Sequence, residues 1–322
     1  MDWNKINLKN IVSYLGTGLM ILSLIFIGQR LASYGMDFSL LNSPWIVAGF
    51  IGITFFEGGI IWVAAFNFRA IVYNVTGIQA ERTLAVKVYG ASNLYKYIPG
   101  GIMYVLGRNR LAVETAGISH GKVAFSTLLE GVGFVIAAIS LALVLSFEYT
   151  MTYIRQSELI SSSEITGIIG IAAGGILLII VCIIFLLRRK IADWLRPTLA
   201  NMEGINAAAI FKRIAVSMLL MIMWGTSFLA TIILLGQPVT PTLAATIVGL
   251  YLLAWVSGYL TPGAPSGFGI REAIMLMFMT GVIDIGILSA AMIMHRILAV
   301  IGDVLAYIAA LVYARRHFIR KA

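Results

Sequence analysis

The sequence predicts an all-α, polytopic integral membrane protein, and three observations predict it. Of its 322 residues, 60% are hydrophobic and only 11% are charged, too apolar a composition for a water-facing surface. Apolar windows of roughly 20 residues, the length that crosses a bilayer with every backbone hydrogen bond closed internally, recur along the chain. Lys and Arg are crowded into a few connections, the pattern of cytoplasmic loops.

Clear spans are expected from Ile11 to Gln29, Pro44 to Phe66, Lys122 to Phe147, Ile165 to Leu187, Lys212 to Leu235, Thr242 to Leu260 and Ile285 to Tyr313. The first follows Lys5 and Lys9, but it is long and no small-residue cleavage site follows it, so it is read as a retained helix and not a signal peptide. Two further apolar stretches, about Leu84 to Leu106 and Pro265 to Gly281, are interrupted by proline and glycine.

Charge orients these elements. Arg188, Arg189, Lys190, Arg196, Lys212 and Arg213 crowd one connection and Arg315, Arg316, Arg320 and Lys321 form the tail, whereas Glu148 to Glu164 is net acidic and Gly236 to Pro241 is uncharged. The basic segments, and with them both termini, are expected on the cytoplasmic side of the cell membrane. Parity then makes the first interrupted stretch a re-entrant hairpin with its turn near mid-depth, because it must return to the side it left. The second becomes a short discontinuous span. The expected architecture is one transmembrane domain over residues 1–322, with about eight transmembrane helices, a re-entrant segment at about 84–107 and a discontinuous segment at about 261–281.

Several functions are disfavoured by the same pattern. The formal charge of +9 follows the membrane rule and does not indicate nucleic acid. His120, His295 and His317 lack ligand spacing, and Cys182, the lone cysteine, sits in an apolar run, so neither a metal site nor a disulfide is expected. No cofactor is expected. The sequence carries no phosphate-cradling Gly-Lys-Ser/Thr loop, no His-Glu-x-x-His and no Gly-x-Ser-x-Gly, which argues against an ATP-driven pump and most hydrolases. Gly167, Gly170 and Gly174 form a small-residue packing stripe that leaves homo-oligomerisation open.

The interruptions carry the chemistry. Lys96, Tyr97, Ile98, Pro99, Gly100 and Gly101 precede a short run to Arg108 and Arg110; Pro262 to Gly269 precede Ile270, Arg271 and Glu272. Paired interruptions of this kind mark the binding sites of transporters, where half-helix N-termini offer N–H groups to an anionic ligand. Glu57, Glu130, Arg271, Glu272, His295, Arg296 and Asp303 also fall at membrane depth, where an ionisable group must find a partner or a hydrated cavity.

At these positions the chain resembles the transmembrane region of the lysylphosphatidylglycerol synthases and the flippase-like proteins built on it. Tyr97-Ile98-Pro99-Gly100-Gly101 with Gly107-Arg108, Leu129-Glu130, Pro265 through Glu272, and His295-Arg296-Ile297 carry the resemblance. Gly131 stands where that family usually has an arginine, and Asp303 where it has an uncharged residue. The resemblance implies a lipid-translocating module without the aminoacyl transferase of the full-length synthases, hence no enzymatic activity. The expected head-group residues are Lys96, Tyr97, Pro99, Gly100, Gly101, Arg108, Glu130, Pro265, Gly267, Gly269, Arg271, Glu272 and Arg296. The expected partners are membrane lipids that are anionic, aminoacylated or linked to polyprenyl phosphate. A component of polyprenyl-phosphate glycolipid synthesis and a small-solute transporter are the alternatives.

Overall fold

A computed structural model describes residues 43–97, 103–156, 207–261, 265–267 and 269–319. The expected spans at Ile11 to Gln29 and Ile165 to Leu187, Cys182, the Gly167 stripe and Pro99, Gly100 and Gly101 lie outside them. The described elements are helices α1 (Pro44–Thr76), α2 (Arg82–Leu94), α3 (Met103–Ala116), α4 (His120–Gln156), α5 (Ala207–Leu234), α6 (Pro241–Leu260), α7 (Ile270–Met279) and α8 (Ile285–Ile319), with 3-10 turns at Tyr95–Tyr97 and Pro265–Gly267. The protein is all-α and polytopic. Five of the helices, α1, α4, α5, α6 and α8, are long and apolar enough to cross a membrane, and each coincides with an expected span.

Helix limits follow local chemistry more closely than hydropathy. Helix α1 runs past its apolar stretch and ends where Gly77 takes a left-handed φ of 69° and donates its N–H to Tyr73, a stop signal that glycine meets without strain. Pro44 and Pro241 open α1 and α6, where a missing N–H costs nothing. Thr240 caps α6 by accepting from the Leu243 N–H. The outward faces remain apolar, with Phe55, Leu143, Val144, Phe211 and Ile308 at least half exposed, as expected of surfaces that meet hydrocarbon.

Depth can be read from helix to helix. Gly49 of α1 meets Leu234 at the end of α5, while Asn67 accepts from Arg213 near the start of α5. The two helices are therefore antiparallel. Arg69, Arg82, Lys122, Lys212 and Arg315 lie at the Asn67 end, and among the described residues no Lys or Arg stands within ten positions in sequence of Pro44, Leu234, Pro241 or Ile285. Halfway along α1, Glu57 and Gly58 touch Gly302 of α8.

Helices α2 and α3 fold back on each other from the basic end. The Tyr95 ring covers Gly107, where any Cβ would collide with it. The tip at Tyr95–Tyr97 reaches Asp303, next to Gly302 and so at mid-depth. A half-membrane hairpin is tolerable there because its described end at Lys96 and Tyr97 is held by the buried Asp303 of α8.

The second interruption differs from a separate crossing. Helix α7 has ten residues, a rise of about 15 Å against a hydrocarbon thickness of about 30 Å. It doubles back along α6, with Gly267 and Arg271 against Gly258 and the Phe278 carbonyl accepting from Tyr149 near the far end of α4. Helices α6 and α7 thus form a second hairpin, entering from the end opposite the basic one. Hydropathy counted Pro265 to Gly281 as one apolar run, but Ser266, Gly267 and Gly269 have φ of 51°, 71° and 83°, so helix begins only at Ile270. The parity of the expectation is kept, since a hairpin and two crossings both return the chain to its starting end.

Candidate functional site

The two hairpin tips, arriving from opposite ends, touch at mid-depth, and most of the ionisable residues singled out above converge around them. On the first tip, Lys96 Nζ lies 2.7 Å from Asp303 Oδ2, and the Tyr97 hydroxyl donates to the same oxygen at 2.5 Å. Asp303 is buried, while the Lys96 side chain keeps 29% exposure. One carboxylate of α8 thereby holds both polar residues of the tip.

On the second tip, Glu272 does two things. Its Oε2 accepts from the Gly269 N–H at 2.7 Å, and its Oε1 receives the Arg296 guanidinium at 2.7 Å. The helix start is thus tied to α8. Sequence reasoning reserved the N–H groups at this helix start for an anion; the Gly269 N–H is occupied by Glu272 instead. The Gly267 carbonyl also lies within 3.5 Å of Arg296 Nη2.

Arg108 and Glu130 form a third pair, which sits inside the packing. Arg108 is 2% exposed; its Nη1 meets Glu130 Oε2, its Nε donates to Ser92 at 3.2 Å, and the rings of Phe68 and Tyr89 flank its guanidinium at 4.6 and 4.1 Å. Such stacking desolvates the cation at little cost and suits arginine better than lysine. The pair fastens α3 to α4 and leaves Arg108 no open edge toward a ligand in this conformation. A Cβ at Gly131 would lie 2.6 Å from the Tyr259 hydroxyl, so Tyr259, hydrogen-bonded to Tyr104 at 2.8 Å, fills the space that a longer side chain at 131 would need.

His295 and Glu57 form a fourth. Their Nε2 and Oε1 atoms stand 3.2 Å apart, both residues are buried, and neither atom has another hydrogen-bond partner. Phe228 and Tyr251 meet the imidazole edge-on at 5.4 Å.

Arg271 is the exception. Its carbon stem lies against Gly258 and Gly267, its guanidinium carbon is 5.7 Å from the Trp255 ring centre, and its buried Nε has no hydrogen-bond partner. Trp255 is itself stacked between Trp224 and Tyr259. The carboxylates within the bundle that could serve Arg271 are engaged elsewhere: Glu57 with His295, Glu130 with Arg108, Asp303 with Lys96, and Glu272 with Arg296. Among the described residues Arg271 has no carboxylate of its own.

The structure therefore brings Lys96, Tyr97, Gly267, Gly269, Arg271, Glu272 and Arg296 to one region, with the 3-10 turn that Pro265 opens, and sets Arg108 and Glu130 in an adjoining buried pair. Sequence reasoning omitted Asp303, Glu57 and His295 from the site, although each had been noted as an ionisable residue at depth. It missed Tyr104, Tyr251, Trp255 and Tyr259 entirely, because aromatic residues in apolar helices carry no signal that separates a site wall from ordinary packing. No group of three or more metal-ligating side chains occurs among the described residues.

Compared with models of known protein families, the chain matches none. A comparison with curated proteins gives no match either.

Proposed function

We propose that this chain is a lipid flippase or lipid transporter that moves a phospholipid or lipid-linked head group between the leaflets of the cell membrane. The observation that carries the reading is Arg271, a cation at the meeting point of two opposed hairpins, where each of the four described carboxylates around it lies against a different basic side chain. A cation held at membrane depth needs an anion, and a phosphate of a lipid head group supplies one with two oxygens that suit a guanidinium. Hairpins entering from opposite ends and meeting at the midplane support a transporter, since substrate sites of such proteins lie where interrupted helices converge.

The resemblance of the two interruptions to the transmembrane region of the lysylphosphatidylglycerol synthases supports the same reading. In it the basic end faces the cytoplasm, Lys96 and Arg271 approach the head group, and the partners are membrane lipids.

Leaflet exchange of a labelled phospholipid in proteoliposomes tests this. Arg271→Lys keeps the charge and loses the two-pronged geometry, so exchange slows partially, whereas Arg271→Gln nearly abolishes it. Exchange at the parent rate by a folded Arg271→Gln protein would remove the head-group assignment.

A further inference from the structure

The charge balance of the mid-depth cluster has a consequence for how transport is driven. Lys96, Arg271 and Arg296 are matched by three carboxylates, Glu57, Glu272 and Asp303, when His295 is neutral. The cluster is then electrically neutral with no ligand present. Lys96 and Tyr97 come from the first tip, Arg271 and Glu272 from α7, Tyr251 from α6, Glu57 from α1, and Arg296 and Asp303 from α8; α5 contributes the uncharged Phe228 ring to His295. Tyr251 joins the two halves of the cluster: its ring lies 5.4 Å from His295 and it sits close enough to Arg271, Glu57, Arg296 and Glu272 to feel their charge.

An anionic head group that pairs with Arg271 adds one negative charge to this neutral, water-poor cluster, where uncompensated charge is expensive. Among the described residues, Glu57 and His295 place Oε1 and Nε2 3.2 Å apart with no other hydrogen-bond partner for either atom, so this pair is positioned to hold one added proton between them. Glu272 and Asp303 are already engaged by Arg296 and Lys96.

We propose that binding of a monoanionic phosphodiester at Arg271 is coupled to uptake of one proton by the Glu57–His295 pair, making the protein a proton-linked carrier of anionic lipid. The inference rests on the proposed head-group site and adds to it the net charge of the substrate and the driving ion. A zwitterionic head group adds no net charge and draws no proton.

The test is proton uptake by the detergent-solubilised full chain in weak buffer, read with a pH indicator while dioctanoylphosphatidylglycerol is added, beside its affinity at several pH values. The expected result is about one proton per bound lipid and an affinity that falls as pH rises, by up to about tenfold per pH unit. Dioctanoylphosphatidylethanolamine should elicit no uptake. Glycerophosphoglycerol, the same head group without acyl chains, distinguishes the source: uptake with the lipid alone assigns a membrane substrate, and uptake with both assigns a soluble phosphodiester to the same coupling. Glu57→Gln mimics the protonated pair, so it should bind without proton uptake and with an affinity independent of pH, while Glu114→Gln, in an exposed pair with Arg110, should leave the parent profile intact. Saturable binding of phosphatidylglycerol with no proton uptake by the parent protein overturns the coupling alone; no saturable binding of any of these probes overturns the head-group reading and the coupling together.

Discussion

Tyr97 donates its hydroxyl to Asp303 at 2.5 Å across 206 residues of sequence, fixing the tip of the first hairpin to α8. The same carboxylate holds Lys96. Two tip residues therefore depend on one acceptor that is itself removed from water.

Asp303→Asn should loosen this tip. The amide still accepts from Tyr97 but leaves Lys96 without a counter-charge; because Lys96 keeps partial access to solvent, the expected loss of stability is about 1–3 kcal/mol and not the full cost of a stranded buried charge. Thermal unfolding in detergent measures it, and limited proteolysis near Lys96 should accelerate in parallel. An unchanged transition with unchanged proteolysis would show that the tip is held by other contacts.

Arg108 should behave as a structural cation. Arg108→Ala leaves Glu130 buried and unpaired, at a cost of about 3–5 kcal/mol, and replacing both partners by Met and Leu should cost much less than the sum of the single changes. Unfolding of the four proteins in a double-mutant cycle decides this. Additive losses would mean that the pair is not coupled.

Gly131→Ala should destabilise by about 1–3 kcal/mol through collision with the Tyr259 hydroxyl. Removing that oxygen with Tyr259→Phe in the same chain should recover part of the loss. Failure of the second change to help would place the collision elsewhere.

Orientation is checked by chemical labelling. After Cys182→Ala, a cysteine at Lys212 should react with an impermeant maleimide only from the cytoplasmic side and one at Thr240 only from the other. Labelling of both positions from one side would break the antiparallel reading of α5 and the depth scale built on it.

Much of this arrangement was legible in the sequence, and the part that was not has a common cause. Spans such as Lys212 to Leu235 are visible because insertion depends on local apolar length, a property of contiguous residues. The break at Pro265 is visible for the same reason, since backbone chemistry is local. Pairing is not local. Nothing near Arg108 announces that Glu130, 22 residues on, will meet it between two aromatic rings, and nothing near Gly131 announces that Tyr259 will fill its place. The length of α7 escaped for a subtler reason. Hydropathy sums over Pro265 to Gly281 without registering that three positions in its first turn adopt left-handed angles.

The contact between Gly58 and Gly302 limits which parts of the molecule can move. A Cβ on Gly302 would fall 2.8 Å from both the Glu57 Cβ and the Thr54 carbonyl oxygen, so the α1 and α8 backbones pass each other with no room for a side chain at residue 302. They form an axle. On its other side the Phe228 and Tyr251 rings of α5 and α6 close edge-on over His295. Anything bulkier than hydrogen at residue 302 would wedge the axle open and disturb the Glu57–His295 pair first, since Glu57 is the side chain it strikes.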